Sequence, residues 1–254
     1  MKTTLRLLAI TTAALFAAAL ASASVTETFT HTYPLTADGV IHLDNVNGDI
    51  NISAWDKAEV TLVAEKRAKD DEDLKRVEII IDTQPSHLAI KTKYNKKNGW
   101  SFFGNWSNAS VRYKLMVPVG ARLEKIDSVN SDITVTGVHG AVNLDTVNGR
   151  IEASGLTSDA RIESVNGSLR AEFASLDRVQ EIKLESVNGS AEVTLPKGAS
   201  ASIKTSSVNG GSRIDQPIKL SHSGSHSLAG DIGSGSGPRI EIETVNGGIS
   251  IREK

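Results

Sequence analysis

Carboxylates recur in this chain at a fixed offset from a short motif. "ESVNG" stands at 163–167 and again at 185–189, with near copies "DNVNG" at 44–48, "DTVNG" at 145–149, "ETVNG" at 243–247 and "DSVNS" at 127–131. The residue two before Val is acidic in six of the seven copies: Asp44, Asp127, Asp145, Glu163, Glu185 and Glu243. A column of carboxylates can hold Ca²⁺, attract a cationic polymer, or supply the acid and base of a polysaccharide-active enzyme. Four before Val, however, the same face carries Lys125, Arg161, Lys183 and Lys204. Columns of opposite sign form surface ion pairs worth about 0–1 kcal/mol each, and the pattern favours that reading. A reaction needs one constellation; a motif written this often is a structural repeat.

The densest cluster of recognition-type side chains lies in "KYNKKNGWSFFGNWSN" (93–108). Tyr94, Trp100, Phe102, Phe103 and Trp106 stand there beside Lys93, Lys96 and Lys97. Rings on a Gly/Asn-rich segment can stack on sugars, dock a protein or enter a membrane interface. They can equally fold back to cap one end of a repeat array. Both readings stay open, and these five residues are the candidate ligand or partner contacts. His222 and His226 lack further ligands, so no metal is assigned to them. "GDIGSGSGP" occurs once and does not follow a calcium-repeat pattern. There is no phosphate loop, nucleophile elbow or HExxH, and a chain with no cysteine has no thiol chemistry. No catalytic residue and no cofactor is assigned.

The elements that must position these columns follow from periodicity. Three and five residues before Val stand apolar residues such as Leu144, Ile162, Leu184 and Ile182; four and six after stand Ile151, Leu169, Val193 and Ile251. Period-2 apolarity on both sides of Asn-Gly signals strand, turn, strand. Asn-Gly alone fits a hairpin, but from Val129 to Val208 the valines are spaced by 18, 18, 22 and 21 residues, the length of one coil of a solenoid. The expected fold is all-β: a parallel β-solenoid, a β-helix or roll, of about 18–22-residue coils with a less regular N-terminal β region. In it each Val stacks on a Val to build the core. Asn47, Asn130, Asn148, Asn166, Asn188, Asn209 and Asn246 form a hydrogen-bonded turn ladder, and each corner glycine supplies a positive φ.

The remaining chain divides around this array. Lys2 and Arg6, the apolar run 7–20 and Ala21-Ser22-Ala23 read as a signal peptide over 1–23. Residues 24–120 form the N-terminal β region, with a helical turn expected at "DDEDLKRVE" and strands at "VEIIIDT" and "HLAIKTKY". Repeats fill 121–254, interrupted by a Gly/Ser-rich insert at 221–238 read as a flexible loop. The net charge of −2 becomes −4 once Lys2 and Arg6 are cleaved away, which gives no reason to expect nucleic acid. The processed chain is expected to be exported to the periplasm or the cell surface, without being integral to a membrane. Its expected partner is an envelope polysaccharide or another protein.

With its signal peptide, "GVIHLDNVNGDINISAWD", "MVPVGARLEKIDSVNSDITV", the Val-Asn-Gly array and the closing "IEIETVNGGISI", the chain resembles the adhesin-like β-strand repeat proteins, a bacterial exported family of unknown function. The likeness covers nearly all of the processed chain. It implies a right-handed β-solenoid outside the cytoplasm and no catalytic residues. The expectation is therefore a non-enzymatic envelope protein offering a rigid β-face to a polymer or protein. The alternatives are a polysaccharide-active enzyme and a structural protein that assembles with itself.

Overall fold

The computed structural model describes residues 24–95 and 109–254. The expected signal peptide and Trp100, Phe102, Phe103 and Trp106 lie outside the described residues. The N-terminal part runs β1 (Val25–Pro34), β2 (Val40–Asp44), β3 (Ile50–Trp55), β4 (Glu59–Ala68), α1 (Asp71–Lys75), β5 (Val77–Gln84), β6 (His87–Tyr94) and β7 (Ser110–Pro118). The repeats follow as β8 (Arg122–Asn130), β9 (Ile133–Thr136), β10 (Val142–Asn148), β11 (Ile151–Leu156), β12 (Ala160–Asn166), β13 (Leu169–Phe173), β14 (Glu181–Asn188) and β15 (Ala191–Leu195). The chain ends with β16 (Ala201–Asn209), β17 (Ser212–Ile214), β18 (Ile218–Ser223), β19 (Ser227–Ile232), β20 (Arg239–Asn246) and β21 (Ile249–Glu253).

The protein is all-β and built from two mixed sheets. One has ten strands in the order β1-β4-β7-β3-β9-β11-β13-β15-β21-β17, and the other eleven in the order β18-β19-β16-β20-β14-β12-β10-β8-β2-β6-β5. Each Val-Asn corner carries the chain from the eleven-stranded sheet to the ten-stranded one, so each repeat contributes one strand to each sheet. We call such a unit a rung. Neighbouring rungs pair in parallel and in register: Ile162 lies beside Leu144 and Leu184, and Leu169 beside Ile151 and Ala191. The corners therefore do not close hairpins, because the strands flanking each one lie in different sheets. Antiparallel pairing is confined to the two ends of the stack, in β1–β4–β7, β5–β6 and β16–β19–β18.

Alternation explains the core. Leu43, Ile126, Leu144, Ile162, Leu184 and Ile242 face inward from one sheet, and Ile50, Ile133, Ile151, Leu169, Ala191 and Ile249 from the other, all buried. Two such faces packed about 10 Å apart leave no water between them. At the N-terminal end, α1 begins where Asp70 caps it, accepting the backbone N–H of Asp73 at 2.8 Å. Its one buried side chain, Leu74, packs into the core.

Four expectations are corrected. The valines do not build the core: Val129, Val147, Val165, Val187, Val208 and Val245 are exposed, at 37–55%. Val lies two residues from the acid and four from the base, so period 2 places all three on the outer face. Second, among the corner glycines only Gly48 and Gly149 have positive φ; the others serve close approach, as described below. Third, the Gly/Ser-rich insert contains β19 and part of β18. Fourth, rung order departs from the chain order that a solenoid of successive coils implies. The last rung, β20–β21, sits between β14–β15 and β16–β17. After β15 the chain skips a slot, lays down β16 and β17, turns through the β18–β19 hairpin and returns to fill it.

Candidate functional site

The corner is assembled from three stacked columns. Each asparagine donates its Nδ2 to the Oδ1 of the next: Asn130 to Asn47, Asn148 to Asn130, Asn166 to Asn148, Asn188 to Asn166, Asn246 to Asn188 and Asn209 to Asn246, all at 2.8–2.9 Å. Every bond points the same way, so the amide dipoles add along the ladder and polarise one another. Two residues earlier, a hydroxyl column not recognised from the sequence points inward. Ser164 Oγ donates to the Gly149 carbonyl (3.3 Å), Ser186 Oγ to Gly167 (3.1 Å) and Ser207 Oγ to Gly247 (2.9 Å). One residue later the glycines stack on one another. A Cβ on Gly167 would sit 1.8 Å from the Gly149 carbonyl oxygen, and one on Gly189 2.0 Å from that of Gly167. At "DSVNS" the glycine's place is taken by Ser131, whose hydroxyl donates to the Gly48 carbonyl at 2.7 Å.

Outside these columns lies a groove of about 410 Å³ across rungs β10, β12, β14, β20 and β16. Val165, Val187, Val245 and Val208 form one wall, Asp145, Glu163, Glu185 and Glu243 the other, with Ser164, Ser186 and Thr244 between them. Five strands at about 4.8 Å spacing make it roughly 19 Å long. On the far side of the acids the basic column closes ion pairs: Lys125 with Asp127 (3.2 Å), Lys183 with Glu185 (3.0 Å), Arg161 with both Glu163 and Glu185, and Lys204 with Glu243 (3.7 Å). The surface ion-pair ladder expected from the spacing is present.

The carboxylates are not equivalent. Burial, and then the neighbouring Asp127, hold Asp145 above the usual carboxylate range; Asn143 stands where the two adjacent rungs have Lys125 and Arg161, and Arg161 offsets only part of the shift. Glu163 is also raised, first by burial, with Arg161 opposing and Glu185 and Asp145 adding to the rise. The two raised carboxyls thus sit side by side at the β10–β12 end of the acidic wall. They offer hydrogen-bond acceptors beside an apolar wall. No group of three or more His, Asp or Glu among the described residues is arranged to hold a metal ion.

Tyr94 ends β6. Strands β6 and β7 pair with β2 and β3 respectively, so they lie in different sheets, as do the strands that flank each Val-Asn-Gly. Tyr94 Oη donates to the Asn47 carbonyl at 3.4 Å and its ring packs against the core. Burial pushes its pKa up to about 12. Beside it Tyr113, fully buried, shares a 2.7 Å hydrogen bond with Thr92 Oγ1 and is raised further by burial. Tyr94 therefore anchors the first rung and is not a freely exposed contact.

The model of the family described as Toastrack DUF4097 matches residues 36–252. Among solved structures, the chain is similar to a candidate cell adhesion protein from Clostridium sporogenes, with 16% identity over 90% of this chain and 100% of that one and a TM-score of 0.49. It is similar to a candidate adhesin from Bacteroides fragilis, with 14% identity over 90% and 97% and a TM-score of 0.41. A candidate lipid-binding protein from Parabacteroides distasonis gives 13% identity over 89% and 96% and a TM-score of 0.33. No curated protein matches. Structural likenesses this distant do not carry function.

Proposed function

Since the chain belongs to the Toastrack DUF4097 family, we propose that it is an exported, non-enzymatic, adhesin-like β-solenoid whose corner groove binds an extended envelope polysaccharide. The observation that carries this is the exposed valine column. Four valines, each at least 40% exposed, line one wall of a groove walled opposite by carboxylates. A soluble protein gains nothing from stacking valines in water, and contiguous exposed apolar surface marks interaction sites. A sugar polymer offers C–H faces to the valines and hydroxyl donors to the carboxylate oxygens. Partial neutralisation of the acids by Lys183, Lys204 and Arg161 makes this a hydrogen-bonding wall rather than a cation trap.

Rigid stacking suits the task, since a preformed groove loses little entropy on binding. The described residues include no helix long and apolar enough to cross a membrane.

The test is co-sedimentation of the purified protein with insoluble envelope polysaccharides. The Val165→Asp/Val187→Asp variant should lose polymer binding and keep its melting curve, while Trp100→Ala/Trp106→Ala should keep binding. Binding that survives the valine change and disappears with the tryptophans moves recognition to the aromatic segment and refutes the groove. A second reading draws on Glu163, raised by burial, beside the carboxyl of Glu185, the equipment of an acid–base pair. New reducing ends after incubation with those polymers would support it.

A further inference from the structure

The ends of the stack are stepped, and the steps lie on opposite sheets. Beyond the rung β6–β7, the ten-stranded sheet continues with β4 and β1 while the eleven-stranded sheet adds only β5. Beyond the rung β16–β17, the eleven-stranded sheet adds β19 and β18 while the ten-stranded sheet adds nothing. Among the described residues, one sheet therefore ends in the edges β5 and β18, each with a row of backbone N–H and C=O groups that has no ladder partner there. Sheets usually guard such edges with Pro or Lys. Strand β5, "VEIIIDTQ", has neither, and β18, "IKLSHS", has a single Lys.

We propose that copies of this chain stack end to end, with β18 of one copy pairing antiparallel with β5 of the next. The occupant of each edge is thus a second copy, and its identity is argued from complementarity. Laying all six residues of β18 along β5 in antiparallel register places Ile218 opposite Thr83 and Ser223 opposite Glu78. That register sets Lys219 against Asp82 on the outer face and Leu220 against Ile81 on the core side. Asp82 lies across from Ala89 within its own sheet and Lys219 across from Asp231. Neither Asp82 nor Lys219 takes part in an ion pair among the described residues, and the joint supplies each with a partner. Opposite signs then face one another from Asp231 through Lys219 to Asp82. Leu220 is 51% exposed, and Ile81 is only partly covered at the core's margin; the joint buries both.

The contact is heterologous and does not close on itself, so it makes rods rather than a closed dimer. With eleven strands in one sheet and ten in the other, each joint leaves a slot one strand wide on the ten-stranded side. Assembly of this kind repeats the groove along the rod, but it does not depend on what the groove holds.

Sedimentation velocity of the purified, processed protein over a concentration series tests it. The wild type should form a ladder of oligomers. Lys219→Asp or Asp82→Lys alone should weaken association by about tenfold or more, and the two together in one chain should restore it. All three variants should melt as the wild type does, because both side chains are exposed. The chain has no cysteine, so Leu220→Cys/Ile81→Cys should cross-link between copies on oxidation. A strict monomer at high concentration, a closed dimer, or oligomers indifferent to the charge swap would overturn the proposal.

Discussion

Replacing Gly167 by Ala separates two explanations for the repeated glycine. If a left-handed backbone were the reason, the substitution would be nearly harmless, because Gly167 does not have positive φ. If stacking is the reason, it is severe. The new methyl would lie 1.8 Å from the Gly149 carbonyl oxygen and 2.6 Å from its carbon, about 1.5 Å inside van der Waals contact. Both atoms are backbone, held by Gly149 N–H donating to the Asn166 carbonyl and Gly167 N–H donating to the Asn188 carbonyl, each at 3.0 Å. Relief requires the rungs to part. The upper range for overpacking, about 2–4 kcal/mol, applies. For a domain of this size that lowers the melting temperature by about 5–15 °C. Gly211→Ala is the control: nothing lies within 4 Å of its Cβ, its φ is ordinary, and the lost chain entropy should stabilise by about 0.4–1 kcal/mol. A Cβ on Gly210, its immediate neighbour, would sit 2.1 Å from the Gly247 carbonyl oxygen, so Gly210→Ala should behave like Gly167→Ala. Circular dichroism melts of the three variants decide the matter. Equal melting of Gly167→Ala and the wild type would refute the stacked corner.

Further expectations follow from the same geometry. Asn166→Ala, in mid-ladder, removes two amide hydrogen bonds and should cost about 1–2 kcal/mol, against about 0.5–1 for Asn209→Ala at the ladder's end, which loses one; urea melts measure both. Burial raises the Tyr94 pKa to about 12 in the folded protein, against about 10 when unfolded. Its contribution is therefore whole below about pH 10 and lost as pH climbs towards 12, up to about 3 kcal/mol. Thermal melts should show a steep alkaline fall that Tyr94→Phe softens. Asp145 is raised by burial and Asp127, so ionisation at neutral pH works against folding, and stability rises as pH falls through its folded pKa. Asp145→Asn should accordingly melt slightly higher at pH 7, and a clear loss would contradict the stated cause of the shift.

Much of the fold was legible because a parallel stack repeats its side-chain pattern. Apolar residues three and five before each Val named the inward face, and the asparagine column named the ladder. The outward valine was legible by the same parity: an even offset from Asp145 or Glu163 places Val147 and Val165 with the acids. Expecting Val to be buried overrode that geometry with hydrophobicity. The insertion of β20–β21 ahead of β16–β17 was not legible, because spacing along the chain is blind to which slot a rung fills. Nor were strands in the Gly/Ser-rich insert: Ser, His and Gly carry little strand propensity, and β18 and β19 owe their form to pairing with each other and with β16. The groove escaped notice because each rung supplies only one Val and one acid to it.

Slot order admits one direct measurement. In the stack, Val187 lies beside Val245 on the adjacent rung, about 4.8 Å away, while Val208 is two rungs from Val187. Only the first pair falls within disulfide reach. In this cysteine-free chain, Val187→Cys/Val245→Cys should form an intramolecular disulfide under mild oxidation, and Val187→Cys/Val208→Cys should leave two free thiols. A disulfide in the second pair and none in the first would contradict the stacked-rung architecture on which the groove and the joint both depend.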